Sequence, residues 1–409
     1  MNSIKKKIKA LSDEQQPDYT LFFLSSTLII IGIIFSYSLS IYTVVLLDYD
    51  QFHFFYRQFA TGILAILIMW TLSQIRPDVL IPKLGWSLFL FFLILIIAMQ
   101  FLPSSLVTES GGAKRWIRLP GVSLSPVEFF KIGFIYFLAY SFHKRLTDIS
   151  KLPFLEELKL LAPYGVVFAF VVFLIAVLQK DLGQVVLLGT ILFIMLIFAN
   201  RSWKIFASLI GIAVVGVSAL ILLFPHRLNR IQSWWSMVQD NVLSFFPASI
   251  AAKLRIEEFP EPYQVGHSLN AINNGGIFGT GLGEGSLKLG FLSEVHTDFV
   301  LAGITEEIGL VGLIVVLAIF FLVIVRIFRT SRRIKNTKYH LFSLGIGLMV
   351  CVAFLINSYG ISGIIPIKGI AVPFLSYGGS SLLSVSIAIG MILSISRDID
   401  KDLKDIANE

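Results

Sequence analysis

The stretch Phe291–Gly312, FLSEVHTDFVLAGITEEIGLVG, decides the fold. It opens as a polar segment carrying Glu294, His296 and Asp298, then passes without a break into an apolar run that still contains Glu306 and Glu307. Ionisable groups at membrane depth are disfavoured by roughly 3 kcal/mol each on insertion scales, so acids kept there point to function. The apolar run continues to about residue 328, long enough to cross a hydrocarbon layer of about 30 Å at 1.5 Å per residue.

Outward from this stretch the same pattern recurs. The chain of 409 residues is 56% hydrophobic and only 14% charged, with a mean hydropathy of +0.82. Ten apolar runs are expected as spans: about 19–41, 59–75, 86–102, 127–142, 159–178, 184–200, 204–224, 299–328, 340–361 and 373–395. They are continuously apolar, not alternating, which excludes a β-barrel. The expected fold is an all-α polytopic integral membrane protein with about ten transmembrane helices. A tail at 1–18, a membrane domain at 19–395 and a tail at 396–409 divide the chain, and a large extracytoplasmic loop at 225–298 joins helices seven and eight. Cys351, the single cysteine, lies in an apolar run and excludes an intramolecular disulfide.

The net charge of +7 is spread between spans and does not form one basic face, which argues for membrane lipids over nucleic acid as the partner. Twenty-one Lys and Arg fall on the side of both termini and eleven on the other, with Lys131 inside a span, so both termini are expected to be cytoplasmic. The outer exceptions are informative. Lys114, Arg115 and Arg118 flank Trp116, Arg227 and Arg230 follow span seven, and Lys368 lies between spans nine and ten. An anionic substrate such as a phosphate would reward these cations; pairing with lipid phosphates or local acids is the alternative.

In the large loop, Ile231, Trp234, Trp235, Val238, Val242, Phe245 and Phe246 recur at helical spacing opposite a polar face. This predicts an amphipathic helix ending near Pro247, lying on the membrane or docking a partner helix. The glycine-rich run from Val265 to Gly290 lacks the strand and spacing of a nucleotide fingerprint and is expected to be a flexible or re-entrant loop. Glu128 and Lys131, three apart on one helical face, form either a structural ion pair or part of a cavity wall. The scattered histidines exclude an HExxH zinc site. No cofactor is evident. A carboxylate at the outer mouth of a span, ringed by cations from other loops, could deprotonate a sugar hydroxyl or hold a divalent ion.

These residues resemble the SEDS family (shape, elongation, division and sporulation) of polytopic peptidoglycan glycosyltransferases. The likeness runs from Tyr19 to Ile395 and rests on FYRQ at 55–58, GGAKRWIRL at 111–119, SPVEFFK at 125–131, QKDLG at 179–183 and HRLNR at 226–230. It continues in YQVGHSL at 263–269, GTGLGEGSLKLGFLSEVHTDFVLAGITEEIGLVG at 279–312, NSYGISGIIPIKG at 357–369 and VPFLSYGGSSLL at 372–383. The resemblance implies polymerisation of lipid II into a growing glycan strand at the outer face of the bacterial cytoplasmic membrane. By that likeness Asp298 is the essential carboxylate. Arg115, Arg227, Arg230 and Lys368 are candidates to bind the pyrophosphate, directly or through magnesium or manganese; Trp116, His296 and Thr297 complete the candidate substrate site. Glu128 and Lys131 match a charged pair expected beside the cavity. Implied partners are a class B penicillin-binding protein and other division proteins. The paired serines of SYGGSS lean toward the division branch, with action at the septum, over the elongation branch; a lipid II flippase and a scaffold for a transpeptidase are the rival functions. Lys180 departs from the family's usual proline, so that turn is expected to be shaped differently, and the stretch 231–258 is longer than the usual loop, so membrane attachment or partner contact is expected to be altered there.

Overall fold

The computed structural model describes residues 16–407 apart from 47, 104, 111–112, 120–121, 147–152, 199–202, 257–262 and 293. Each expected span coincides with a helix. The elements are α1 (Tyr19–Leu39), α2 (Ile41–Leu46), α3 (His53–Ser73), α4 (Pro77–Ala98), β1 (Val107–Ser110), β2 (Ala113–Leu119), β3 (Val122–Leu124), α5 (Pro126–Leu146) and α6 (Phe154–Val172). After them come α7 (Leu182–Phe198), α8 (Trp203–Leu222), α9 (Pro225–Leu243), α10 (Ala248–Leu254), α11 (Tyr263–Gly275), α12 (Val300–Arg333), α13 (Thr337–Ile361) and α14 (Gly379–Ala407). Most of the tail at 1–18 lies outside the described residues, whereas the tail after residue 395 extends α14 to Ala407.

The helix count is roughly that expected, though the helices differ in how well each meets the length and hydropathy of a span. Among the described residues, seven helices are long and apolar enough to cross a membrane alone, and α8 with α9 makes an eighth only if their 101° bend lies within one span. The 17 residues of α7 cover about 25 Å, short of a hydrocarbon core. Pro225 in the first turn of α9 separates it from α8, because a proline ring cannot continue the preceding helix. The amphipathic helix expected near 231–246 is therefore α9, which starts earlier and stops short of Pro247. Its Trp234 Nε1 donates to the carbonyl of Gly363 at 2.8 Å, tying the helix to the protein's own loop before α14.

Two further differences stand out. The loop after α4 folds into a three-stranded antiparallel sheet in the order β1-β2-β3, so the protein is not wholly helical. Thr108 pairs with Trp116 and Arg118 with Ser123, while Val107 and Ile117 pack on Met99. The run expected to be loop from Val265 onward begins inside α11 and becomes irregular only after Gly275.

Packing centres on α5, whose Phe130, Phe134, Tyr136 and Phe142 are fully buried. A Cβ at Gly133 would stand 2.2 Å from the backbone nitrogen of Phe89, so glycine lets α5 close on α4 to backbone contact. Where helices associate without a hydrophobic driving force, such close approach supplies the dispersion contact that holds them.

The long helix α12 is broken at Gly309, which has φ 65° and ψ −173°. Only glycine adopts that region readily. The glycine loop fills the gap: Thr280 N and Gly281 N donate to the carbonyls of Glu306 and Glu307, while Leu310 N and Val311 N donate to those of Gly276 and Ile277. The glycine loop is thereby built into the break in α12, and the exchange satisfies backbone groups that hydrocarbon could not.

Candidate active site

Asp298 stands immediately before α12, on a run of turns that starts at Glu294 (φ 57°). Its amide donates to the Glu294 carbonyl at 3.1 Å and its carbonyl accepts from Asn357 Nδ2 at 2.7 Å. The same Asn357 nitrogen donates to the carbonyl of Ile370 at 2.9 Å, so one amide staples Asp298 to the loop containing Lys368. Ser376 Oγ donates to the Thr297 carbonyl at 2.6 Å, and Tyr377 N to that of His296 at 2.8 Å. The backbone around Asp298 is therefore held from α13 and from the segment before α14. Sequence reading assigned Asn357 no role; the available signal was an amide inside an apolar helix.

No hydrogen-bond donor sits on the Asp298 carboxylate among the described residues. Burial raises its pKa to about 6, with Glu294 and Asp181 adding repulsion and Arg115 and Arg230 opposing them. A carboxylate poised there is ionised at neutral pH yet more basic than ordinary aspartate, which suits a general base. Since only the ionised form accepts a proton, kcat/KM is expected to fall about tenfold per unit as pH drops below about 6. A pH–rate profile at subsaturating substrate would check this limb.

Next to Asp298 lies a cavity of about 50 Å³ lined by Arg115, Lys180, Asp181, Leu182, Gly183, Arg227, Arg230, Lys368 and Gly369. Five of these are basic and one is acidic. Burial lowers the pKa of Lys368, and Arg230 and Arg227 lower it further by repulsion while Asp181 resists. Cations crowded in this way favour an anion with more than one charge. Arg115 Nε and Nη2 donate to the carbonyls of Gln179 and Lys180 at 3.0 and 2.8 Å, with Asp181 Oδ2 3.9 Å away. Arg227 is buried and donates to the carbonyls of Leu220 and Ala176 at 2.8 and 2.5 Å.

The Ala176 carbonyl is offered by a π-helical turn, Phe173–Leu178, that closes α6. π-Turns leave carbonyls out of register and recur at functional sites. Lys180 follows at φ 53°, a conformation closed to proline's ring. Glu128 and Lys131 pair at 2.9 Å, and Glu128 Oε1 also accepts from Gln184 Nε2 at 3.0 Å, binding α5 to α7 behind Asp181.

The structure does not bring every predicted residue to this place. Successive side chains on β2 point to opposite faces, so Trp116 turns away from Arg115 and stands exposed outside the cavity. His296 is buried between Phe54 and Tyr377, with ring centroids 5.0 and 5.5 Å away, and is not open to a substrate. Thr297 Oγ1 donates to its neighbour Glu294 Oε2 at 2.9 Å. Gly369 was missed: a Cβ there would lie 2.9 Å from Asp298 Oδ2. Gly369→Ala is expected to push the carboxylate aside and lower kcat/KM about 10–100-fold with little change in unfolding temperature, measured by steady-state kinetics beside a thermal melt.

No group of three or more His, Cys, Asp or Glu side chains able to hold a metal is found among the described residues. With the cavity's mostly cationic donors, this does not fit a resident divalent ion.

Fold and site define a class: a polytopic helical membrane protein with a half-buried carboxylate beside a strongly cationic cavity at one end of the bundle. A family model for the cell cycle proteins FtsW, RodA and SpoVE matches residues 19–401, and the chain belongs to that family. It is 49% identical to the probable peptidoglycan glycosyltransferase FtsW of Helicobacter pylori over 93% of this chain and 98% of the relative. Stage V sporulation protein E of Bacillus subtilis is 31% identical over 93% of this chain and 97% of its own. Among solved structures, the rod shape determining protein RodA of Thermus thermophilus superposes with a TM-score of 0.63 at 22% identity, covering 93% of this chain and 97% of that one. A chain of a peptidoglycan synthase complex gives 0.69 at 21% identity, covering 94% and 98%.

Proposed function

We propose that this chain is a peptidoglycan glycosyltransferase that polymerises lipid II into β-1,4-linked glycan strands, for septal wall synthesis in cell division. The observation that carries the reading is Asp298 beside a cavity of five basic side chains, in a chain 49% identical to a relative named for that activity. Asp298 takes the proton from the acceptor sugar's 4-hydroxyl. The freed oxygen attacks the donor's anomeric carbon with inversion, and the bond to the pyrophosphate breaks with its electron pair leaving on phosphate. Arg115, Arg227, Arg230 and Lys368 receive that charge. Because Arg115 and Arg227 are already anchored by carbonyls, their guanidinium groups are preorganised. A cavity of about 50 Å³ is too small for a disaccharide, so the sugars lie outside it, over Asp298. Glu128 and Lys131 stiffen the wall behind Asp181 and do not touch substrate.

Both termini face the cytoplasm and the site faces outward, by the distribution of Lys and Arg. Magnesium or manganese would arrive with the pyrophosphate. The partner is a class B penicillin-binding protein, which supplies cross-linking at the septum. Purified chain, with and without such a partner, should convert fluorescent lipid II into a ladder of glycan strands. Absence of any ladder with the partner present, together with transfer of labelled lipid II between leaflets, would replace this reading with a flippase.

A further inference from the structure

At the other end of α12, about 26 residues beyond Val300, a second cavity of about 320 Å³ opens between α12, the start of α1 and Ser396 of α14. Arg326, Arg329 and Arg333 line it at i, i+3 and i+7, one stripe of a single helix. Among the described residues the one acid in its wall is Asp18, so three guanidinium groups face one described carboxylate.

That carboxylate is already engaged. Arg326 Nε donates to Asp18 Oδ2 at 3.0 Å and its Nη2 to Oδ1 at 2.7 Å, while Leu21 N also donates to Oδ1 as the helix cap. Asp18 N in turn donates to Ser396 Oγ at 2.9 Å. Arg326 and Asp18 thus form a fixed wall, leaving the charges of Arg329 and Arg333 uncompensated by the cavity's other described residues. Like charges at i, i+4 repel, so this stripe is poised for an anion.

The surface leading away from the cavity says what kind of anion. The same helical stripe continues up α12 through Leu322, Val315 and Val311, exposed by 50%, 55% and 48%. A run of exposed apolar side chains ending in arginines matches a molecule with acyl chains joined to a phosphate. A free phosphate would use only the arginines.

We propose that this cavity binds the phosphate of an anionic phospholipid whose acyl chains lie along the exposed stripe of α12. The site lies at the opposite end of α12 from Asp298 and has no part in the proposed chemistry. The full chain, purified in detergent and mixed with phosphatidylglycerol or phosphatidylcholine, is expected to retain the anionic lipid in preference by about fivefold or more in native mass spectra. R329Q/R333Q should abolish that preference, and R332Q/K335Q, which removes the same charge away from the cavity, should keep it. Equal loss in both double variants would reduce the effect to diffuse charge and overturn the site. Stabilisation by inorganic phosphate equal to that by phosphatidylglycerol would overturn the lipid assignment.

Discussion

Asp298→Asn is expected to lower kcat for glycan polymerisation by about 10²–10⁴-fold, the span contributed by a positioned general base. The substitution keeps the side chain's volume and removes only its ability to accept a full proton. It should not destabilise the fold. A carboxyl whose pKa is raised to about 6 binds its proton more tightly in the folded state than in the unfolded one. Its contribution to stability is therefore present at low pH and lost as pH rises through about 6, so at neutral pH the neutral amide relieves a strain. Thermal unfolding at pH 7.5 should give an unchanged or higher midpoint. A variant with more than about one tenth of wild-type kcat would remove Asp298 from the general-base role.

Lys288→Met is expected to destabilise the protein by about 3–5 kcal/mol, because it strands a buried carboxylate. Lys288 Nζ and Glu307 Oε1 lie 2.6 Å apart with side chains 1% and 0% exposed. Ser38 Oγ donates to both Glu307 oxygens, and Lys288 Nζ also reaches the Gly283 carbonyl at 2.7 Å. The pair thus binds three segments: α1, the glycine loop and the first turns of α12. Next to it, Glu306 Oε1 accepts from Asn274 Nδ2 at 2.8 Å and from the amides of Ser286 and Leu287 at 2.9 and 3.1 Å. Without this fastening the loop that fills the gap at Gly309 comes loose, and the base of Asp298 with it. The double substitution Lys288→Met with Glu307→Leu should regain most of the loss, since a buried pair replaced whole leaves no unpaired charge. Thermal melts of the single and double variants would settle it; equal destabilisation of both would show that packing, not charge, is lost.

Glu306 and Glu307 stood out because acids at membrane depth are costly, and both are held by partners that fasten the start of α12. Much of the fold was legible for the same reason. A backbone in hydrocarbon must satisfy its own polar groups, so every long apolar run had to become a helix, and all ten did. Where the criterion weakened, so did the reading: α7 is short, α5 carries charges, and α8 turns sharply into α9. The sheet around Trp116 escaped notice because its strands are three to seven residues long and half-exposed.

Hydropathy along the chain already marks a bundle of membrane helices and puts Asp298 at the mouth of one of them. Local composition suffices for both, since hydropathy and the penalty on buried charge act residue by residue. Contacts between distant segments settle which cations share the cavity, turn Trp116 and His296 away from it, and break α12 where the glycine loop plugs it. Arg115 meets Gln179, Arg227 meets Ala176, and Gly369 meets Asp298. Such contacts join residues 51 to 71 positions apart in the chain, and they form through backbone carbonyls and close approach, which no side-chain pattern along the sequence encodes.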